Sequence, residues 1–174
     1  MGSLHKGHIA LINNAREENL TLAATIFVNP TQFNDDDDFA RYPRDIKRDL
    51  SLLEQAGVDI VFTPTLEGMY PPGIATFVDV GHLGDILEGK YRPGHFKGVA
   101  TIVTKIISIS RPTRAYFGQK DAQQCAVVNK INSDLNLGTE IVIVPTIRDI
   151  DGLALSSRNL YLSPNERKAA AILY

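Results

Sequence analysis

Two histidines near the start of the chain, His5 and His8, have types and spacing that could do chemistry. They flank Gly7 and lie at the start of an apolar pattern that predicts a helix over residues 8–19. The first turn of a helix has unpaired N–H groups and the positive end of the helix dipole, which attract anions. Gly7 would let the backbone approach a ligand closely. The pattern suits a polyphosphate site, but for an isolated pair the structural interpretation is slightly favoured, in which one histidine caps the helix and the other lies on the surface.

A second candidate segment is Gly118-Gln119-Lys120-Asp121, which follows a predicted strand and opens a predicted helix. Lys120 at such a turn can neutralise phosphate charge as a point cation. Gln124 lies one turn further on and can face the same ligand. Taken alone, however, the segment favours a structural interpretation in which Asp121 acts as the helix N-cap.

A third segment, Leu155-Ser156-Ser157-Arg158-Asn159, combines two hydroxyls with an arginine. A guanidinium offers a fork of donors that matches phosphate oxygens, and hydroxyls can orient to fit them. A polar surface turn has the same composition. The sequence alone leaves both interpretations open.

A fourth segment, residues 29–33 (NPTQF), follows a predicted strand. The Gln32 amide could bind a small substrate there, or it could satisfy the backbone of the loop. The nearby run Asp35–Asp38 invites a metal interpretation, but adjacent carboxylates repel one another and form no cage without other ligands. We therefore expect a solvated loop and no protein-built metal site.

Strands and helices alternate along the chain with short connections. The predicted strands are residues 22–28, 58–62, 76–80, 114–117 and 140–144, and the predicted helices are 8–19, one that Pro43 opens and Gly57 ends, 97–109, one near 121–136, and 164–173. Residues 29–42 and 83–95 are predicted loops. The alternation favours an α/β domain with a mainly parallel sheet, in which ligands bind at the carboxyl ends of the strands.

The composition is that of an ordinary globular domain, with 44% hydrophobic and 22% charged residues in 174. A net charge of −2 provides no global field for nucleic acid or an anionic membrane. The single cysteine, Cys125, excludes an intramolecular disulfide and favours a reducing compartment. Because the sequence also contains no apolar run of roughly 18–20 residues, we expect a cytoplasmic protein without nucleic-acid or membrane partners.

Six stretches occur in an order that resembles the pantothenate synthetase (pantoate–β-alanine ligase) family, within the His-x-Gly-His nucleotidyltransferase superfamily. They are MGSLHKGH (1–8), FVNPTQF (27–33), YPRD (42–45), RPGHFKGVATIV (92–103), YFGQKDAQQ (116–124) and DGLALSSRN (151–159). No single stretch is decisive, but six in this order make coincidence remote. The resemblance runs from Met1 to the last residues.

The resemblance implies a two-step ligase. Pantoate attacks the α-phosphate of ATP to give pantoyl adenylate and pyrophosphate, and the amine of β-alanine then attacks the acyl group to give pantothenate and AMP. Magnesium would arrive with ATP, held mainly by phosphate oxygens. The family is usually a homodimer.

The resemblance also implies roles for individual residues. His8 matches the residue usually assigned as proton donor, and His5 matches one that contacts the phosphates. Together with Lys120 and Arg158 they form the expected catalytic set. The implied ATP site comprises Met1, Gly2, Ser3, Leu4, His5, Lys6, Gly7, His8, Gly118, Gln119, Lys120, Asp121, Ile147, Leu155, Ser156, Ser157 and Arg158, and the implied pantoate and β-alanine site comprises Asn29, Gln32, Tyr42, Arg92, His95 and Gln124.

Two features depart from the family pattern. The family has a strand and a Pro-Thr before the Met-Gly, and a smaller domain after the nucleotide domain. We therefore expect residues 1–174 to form a Rossmann-like nucleotide-binding domain that lacks the family's first strand and C-terminal domain. A nucleotidyltransferase with another acceptor, and an inactive core that only binds nucleotide, stay open as alternatives.

Overall fold

The computed structural model describes residues 2–174, except for the side chain of Asp36. The helices within this range are α1 (Lys6–Glu18), α2 (Asp36–Arg41), α3 (Ile46–Gln55), α4 (Leu66–Met69), α5 (His82–Asp85), α6 (Glu88–Tyr91), α7 (His95–Ser110), α8 (Ala122–Asp134) and α9 (Pro164–Ala170). The strands are β1 (Ala23–Thr25), β2 (Ile60–Phe62), β3 (Arg114–Gly118) and β4 (Glu140–Val144), and 3₁₀ turns span Pro30–Gln32, Ser157–Tyr161 and Ala171–Leu173. The predicted α/β class is confirmed.

The strands that the structure describes form two parallel pairs. β1 lies beside β2 with Ala24 opposite Val61, and β3 lies beside β4 with Tyr116 opposite Val142. Helical segments connect the two strands of each pair, as parallel pairing requires. The predicted parallel arrangement is therefore confirmed, with the four described strands divided between two pairs.

A polar contact between α1 and β3 joins the two pairs. The Tyr116 hydroxyl on β3 donates to Glu18 at 2.7 Å and accepts from the Asn19 amide at 2.7 Å. Arg114 also donates to the Glu18 carbonyl at 3.1 Å. These contacts place α1, whose first turn carries the histidine pair, directly beside β3.

Two clusters of buried apolar side chains support the fold. One comprises Leu4, Ile12, Ala15, Leu22, Ala24 and Leu53, and the other comprises Phe96, Val99, Ala100, Val127 and Ile131. Leu4 belongs to the first cluster, so the residue directly before His5 is anchored in the core. Packing of this kind stabilises the segment that carries the histidines.

The prediction of a loop over residues 29–42 is wrong in part. Residues Pro30–Gln32 form a 3₁₀ turn, and the aspartate run opens α2. Asp35 caps this helix, because its carboxylate accepts from the N–H of Asp37 at 2.8 Å. Negative charge is favourable at a helix N-terminus, which explains why a run of aspartates starts a helix here.

The predicted strand at 76–80 is also wrong. The segment is not part of a strand, and the N–H of Val78 donates instead to the hydroxyl of Thr101 on α7 at 2.9 Å. A helix side chain therefore takes the role that a neighbouring strand would have had. The predicted loop 83–95 contains two short helices, α5 and α6.

Other predicted elements are confirmed with shifted ends. The predicted 8–19 helix begins two residues earlier, at Lys6, and the 22–28 and 58–62 strands shorten to three residues each. The predicted 97–109, 114–117 and 140–144 elements correspond to α7, β3 and β4. No helix among residues 2–174 has the length and apolarity needed to cross a membrane.

Candidate active site

The two histidines cap helix α1 together. The Nδ1 atom of His5 accepts from the N–H of Gly7 at 3.1 Å, and the Nδ1 atom of His8 accepts from the N–H of His5 at 3.3 Å. Their ring centroids are 4.1 Å apart. Both side chains therefore satisfy helix N–H groups, whereas the capping interpretation assigned this task to one of them. Because each neutral ring accepts through Nδ1, each retains Nε2–H as a donor for a ligand.

Burial keeps this pair uncharged. Burial, with smaller contributions from the nearby His5 and Lys120, lowers the pKa of His8 to about 3. Burial and Lys120 also lower the pKa of His5. At neutral pH the two rings are therefore neutral hydrogen-bond donors, and the fixed positive charge nearby belongs to Lys120.

The structure gives a second reason for glycine at position 7, beside the expected one. A Cβ on Gly7 would lie 2.9 Å from Cε1 and 3.0 Å from Nδ1 of His5. The missing side chain thus leaves room for the His5 ring to fold over its own helix end. Close approach of a ligand is not needed to explain glycine at this position.

The segment before the histidines is held from two sides. Ser3 has a φ of 51°, an uncommon conformation for a residue with a Cβ. The two carboxylate oxygens of Asp49 each accept one N–H at 2.8 Å, from Ser3 and from Leu4. The hydroxyl of Ser157 donates to the Ser3 carbonyl at 3.1 Å. Asp49 has no motif around it and was missed by sequence reasoning.

The turn after β3 lies next to the histidines. Lys120 pairs with Asp121 at 2.9 Å, and both residues affect the pKa of His5 electrostatically. The Asp121 side chain makes no capping hydrogen bond, so the simple cap interpretation of that carboxylate is wrong. Gln119 is held by its N–H, which donates to the Val144 carbonyl at 2.8 Å.

Cys125 is a packing residue, as expected. It is buried, and its thiol donates to the Gly118 carbonyl at 3.3 Å. Burial and the nearby Asp121 raise the pKa of the thiol, which keeps it protonated. A protonated, buried thiol is a poor nucleophile.

The serine-rich segment also reaches the start of α1. Ser157 is buried against Ser3, so the surface-turn interpretation is wrong for this residue. The Cβ of Leu155 lies 3.7 Å from where a Cβ on Gly7 would be. Ser156 accepts from the N–H of Arg158 at 3.2 Å, which caps the 3₁₀ turn that starts at Ser157. Three segments predicted from sequence thus converge on one helix end.

Arg158 lies between α2 and the aromatic residues near Gln32. Its guanidinium pairs with Asp38 at 2.8 Å and lies 5.9 Å from the ring of Phe33 and 5.5 Å from that of Tyr42. Asp38 is half-buried in this contact, which the prediction of a solvated aspartate run did not anticipate. Aromatic faces favour a guanidinium at such distances.

Gln32 is positioned by a buried asparagine. Asn29 is 2% exposed, and its amide donates to the Gln32 side-chain oxygen and to the Gly98 carbonyl, both at 3.2 Å. The Asn29 side-chain oxygen accepts from the Tyr70 hydroxyl at 2.9 Å. The side chain of Gln32 is therefore oriented by another side chain, and the alternative that it satisfies loop backbone does not describe this contact.

Gly98 on α7 permits close packing against the same turn. A Cβ on Gly98 would collide with the Thr31 carbonyl and lie 2.8 Å from the Gln32 nitrogen. In the sequence this glycine lies within the stretch RPGHFKGVATIV (92–103), and nothing in its local pattern indicates a role. Its effect is to bring the backbone of α7 against the residue that presents Gln32.

His95 and Arg92 bind the backbone of Gln32. The Nδ1 of His95 donates to the Gln32 carbonyl at 2.7 Å, and its Nε2 accepts from Arg92 at 3.2 Å. Burial lowers the pKa of His95, which is consistent with this neutral tautomer. Arg92 also pairs with Glu88 at 2.7 Å.

A cavity of about 180 Å³ lies at the carboxyl ends of β1 and β3. It is lined by Phe27, Val28, Gln32, Phe33, Tyr42, Glu88, Arg92, His95, Asp121, Gln124 and Arg158. Five of the six residues expected at the pantoate and β-alanine site line it, and the sixth, Asn29, lies beneath Gln32. The position matches the edge of a parallel sheet where ligands bind.

Four other residues are expected at the nucleotide site. Three of them lie near the segments that converge on the start of α1, and the fourth lies outside the described residues. Gly2 is buried near Val28, and Lys6 is the exposed first residue of α1. The Ile147 carbonyl accepts from the N–H of Leu155 at 3.0 Å, which links Ile147 to the serine-rich segment. Met1 lies outside the described residues.

The chain is similar to known proteins in both sequence and structure. The family model for pantoate-beta-alanine ligase matches residues 1–174. The chain is 60% identical to pantothenate synthetase from Chloroflexus aurantiacus over 174 residues, which are 100% of this chain and 62% of that protein. The crystal structure of pantothenate synthetase from Thermus thermophilus superposes with a TM-score of 0.97 at 55% identity, covering 100% of this chain and 63% of that one.

A further solved structure contains ligands. It is a pantoate-beta-alanine ligase from Francisella tularensis in complex with beta-gamma ATP and beta-alanine, with a TM-score of 0.95, 40% identity and coverage of 100% of this chain and 67% of that one. The chain thus spans about 62% of the length of the Chloroflexus relative. With a family model that matches its whole length, the chain belongs to the pantoate-beta-alanine ligase family.

Proposed function

We propose that residues 1–174 form the nucleotide-binding domain of an ATP-dependent ligase that condenses pantoate with β-alanine. The observation that carries the proposal is the convergence of residues 3–8, 118–121 and 155–158 beside the cavity that Gln32 and Gln124 line. One end of this arrangement offers donors and a cation, and the other encloses a small polar space. A polyphosphate and a small carboxylic acid fit these two environments.

The histidine end is the proposed phosphate site. His5 and His8 each keep an Nε2–H donor, and Lys120 lies close enough to depress the pKa of both rings. Neutral donors and one nearby cation can stabilise charge that builds on the α-phosphate without requiring a proton transfer. His8 therefore acts as a neutral hydrogen-bond donor through Nε2. This role takes the place of the proton-donor role that the resemblance implies.

Arg158 is the second proposed cation. It is held over Phe33 and Tyr42 at the cavity, and its fork of donors suits phosphate or carboxylate oxygens. Its partner Asp38 keeps it from extending freely into solvent. The guanidinium thus lies between the proposed nucleotide and acid sites.

The cavity is the proposed site for pantoate and then β-alanine. Gln32 and Gln124 supply amide donors and acceptors for hydroxyl and carboxylate groups, and Tyr42, Arg92 and His95 complete its wall. Since Arg92 and His95 are already bonded to one another and to Gln32, their main contribution is to hold that wall in place. Asn29 contributes by orienting Gln32.

The proposed reaction needs no covalent enzyme intermediate. A pantoate carboxylate oxygen bonds to the α-phosphorus of ATP while the bond to pyrophosphate breaks. The amine of β-alanine then bonds to the acyl carbon, AMP leaves with the bonding electrons, and the amine proton passes to solvent. The protonated, buried Cys125 is consistent with a mechanism without a thiol nucleophile.

We further propose that magnesium enters as MgATP. The described residues contain no group of three or more His, Cys, Asp or Glu side chains that could hold a metal ion. A magnesium ion bound mainly through phosphate oxygens and water needs no such cage. The protein residues near it would be those of the phosphate site.

The setting of the whole protein is likewise a proposal. A net charge of −2 and a single buried cysteine favour a cytoplasmic enzyme that uses small molecules and does not bind nucleic acid or membranes. A homodimer is proposed from the family resemblance. Sedimentation of the purified chain tests the dimer directly.

Exchange of labelled pyrophosphate into ATP tests the proposed function. We expect exchange only when pantoate is present, because the reverse of the first step requires pantoyl adenylate. Exchange that is independent of pantoate contradicts the substrate assignment and favours a nucleotidyltransferase with another acceptor. Tight ATP binding without exchange under any acceptor favours the nucleotide-binding module instead.

A further inference from the structure

The backbone turn at Ser3 and Leu4 adopts a conformation that needs support. Ser3 has a φ of 51°, which lies in the left-handed region that a side chain disfavours. Ser3 and Leu4 are both buried, so water cannot easily replace lost hydrogen bonds. Something within the fold must therefore compensate for this conformation.

Asp49 provides that support from the first turn of α3. It is 1% exposed, and its two carboxylate oxygens accept the N–H groups of Ser3 and Leu4, each at 2.8 Å. A buried carboxylate is costly unless it is well hydrogen-bonded, and bonds between a charged acceptor and N–H groups are stronger than neutral ones. The pairing thus satisfies the acid and holds two consecutive peptide groups in one orientation.

This contact is linked to the histidine pair through the backbone of Leu4. The residue after Leu4 is His5. Its N–H donates to Nδ1 of His8, and its ring accepts the N–H of Gly7. The neighbouring Arg48 donates to the Leu4 carbonyl at 3.2 Å, and Ser157 donates to the Ser3 carbonyl. The orientation of the peptide before His5 therefore depends on α3, which is distant in sequence from α1.

We propose that Asp49 is a positioning residue for the phosphate-binding end of α1. It acts through the Ser3–Leu4 turn, which sets where the two Nε2–H donors lie, and it does not itself contact the ligand. This proposal rests on the proposed function, in which those donors bind the phosphates of ATP. It predicts a defect that is specific to the nucleotide and spares the acid cavity.

Asp49→Asn is the variant that tests this role, with Asp59→Asn as its matched control. An asparagine at position 49 keeps one acceptor but places an NH₂ donor against the second N–H. Asp59 also accepts a backbone N–H, from Leu22 at 2.7 Å, together with Arg16 at 2.8 Å, but it lies outside the proposed site. The two variants therefore make the same chemical change at different places.

Two measurements on the full chain separate the possible outcomes. Amide hydrogen exchange, measured without ligand, should become faster at Leu4, Gly7 and His8 in Asp49→Asn and stay unchanged there in Asp59→Asn. ATP affinity should fall by roughly 10- to 100-fold in Asp49→Asn, the range for losing hydrogen bonds to a charged group. Pantoate affinity should stay within about threefold of wild type, as should both affinities in Asp59→Asn.

The proposal is overturned if exchange at these amides does not change, or if ATP and pantoate affinity fall together. Should Asp49→Asn fail to fold, Arg48→Met removes only the donor to the Leu4 carbonyl from an exposed side chain. This variant should speed amide hydrogen exchange at Leu4, Gly7 and His8 and weaken ATP binding by about two- to fivefold. Unchanged exchange at these three amides overturns the proposal. A wild-type chain that binds neither ATP nor pantoate contradicts the proposed function, whereas the exchange measurement still decides whether Asp49 holds the turn.

Discussion

At the scale of single residues, the histidine pair serves folding and ligand binding with different atoms. Each Nδ1 accepts a helix N–H, and each Nε2–H remains a donor. The two interpretations that the sequence left open, a cap and an anion site, are therefore compatible. Substitutions at His8 can separate them, because a residue can preserve the cap and lose the imidazole.

We expect His8→Gln to fold nearly as well as wild type and to lose adenylate formation by about 100-fold or more. Glutamine at the third position of a helix can accept the N-cap N–H, as in an ordinary capping box, but it cannot place an Nε2–H where the imidazole does. His8→Ala should lose the same activity and also about 1 kcal/mol of stability from the missing cap. Pyrophosphate exchange and urea unfolding measure the two effects.

The exposed His82 provides the control for these variants. His82→Gln should leave both exchange and unfolding unchanged, because its side chain lies outside the cavity and the cap. If His8→Gln loses stability in proportion to activity, His8 is a structural residue. A normal exchange rate in His8→Gln contradicts the donor role of Nε2.

At the scale of elements, α7 positions the turn that carries Gln32. The helix has glycine at position 98, where a Cβ would meet the backbone of Thr31 and Gln32. From the same helix, His95 donates to the Gln32 carbonyl at 2.7 Å. The 3₁₀ turn Pro30–Gln32 is thus held by steric fit on one side and a hydrogen bond on the other.

Gly98→Ala should weaken pantoate binding by about tenfold and destabilise the fold by about 1–3 kcal/mol. In a helix interior, replacing glycine with alanine normally stabilises the fold by about 1 kcal/mol. A loss of stability in Gly98→Ala would therefore indicate that the new Cβ collides with the turn. Isothermal titration with pantoate and thermal unfolding check both parts. Ser108→Ala, on an exposed position of α7, is the matched control and should change neither.

A stabilised Gly98→Ala variant with normal pantoate affinity would show that the turn can move away freely. In that case Gln32 is positioned mainly by Asn29, and the close approach of α7 has no part in binding.

Elements with strong local patterns could be predicted from the sequence. The α7 stripe and the β3 and β4 runs are examples, because their apolar spacing reflects their own burial. Residues 76–80 (TFVDV) have a strand-like apolar pattern but do not form a strand. A strand needs a neighbouring strand to pair with, and the local pattern does not specify one; here the N–H of Val78 donates to Thr101 instead.

In the candidate site, too, the residues with a local sequence signal could be predicted and those defined by distant contacts could not. The types of His5, His8 and Lys120 indicated phosphate chemistry, and the family resemblance added the glutamines. Asp49 could not be predicted, because it meets Ser3 across 46 positions of sequence and belongs to no local motif. The role of Gly98 likewise becomes visible only when the helix and the turn are placed together.

At the scale of the whole molecule, three histidines couple protonation to folding, of which His95 is buried and His5 and His8 are half-buried. Burial lowers the pKa of His5, His8 and His95 in the folded chain, in the case of His8 to about 3. Their ordinary pKa in an unfolded chain is about 6.5. Between these values the unfolded state binds more protons than the folded state, so stability falls as the pH falls.

We expect the free energy of unfolding to be highest above about pH 6.5 and to decrease towards pH 5. Each fully depressed histidine contributes a slope of at most about 1.4 kcal/mol per pH unit. Urea unfolding of wild type and His8→Gln at pH 7, 6 and 5 measures the difference, and the variant should show the shallower slope. Parallel slopes would mean that His8 is protonated in the folded chain.

The capping contacts of α1 also restrict how this chain can vary in length. A capping box joins the N-cap residue to the third residue of its helix, and that interval is a property of helix geometry. An inserted or deleted residue between His5 and His8 would rotate the second imidazole by about 100° around the helix axis, away from the first. We therefore expect the fold of this helix end to tolerate substitution at Lys6, which is exposed, while tolerating no change in the length of the three-residue interval.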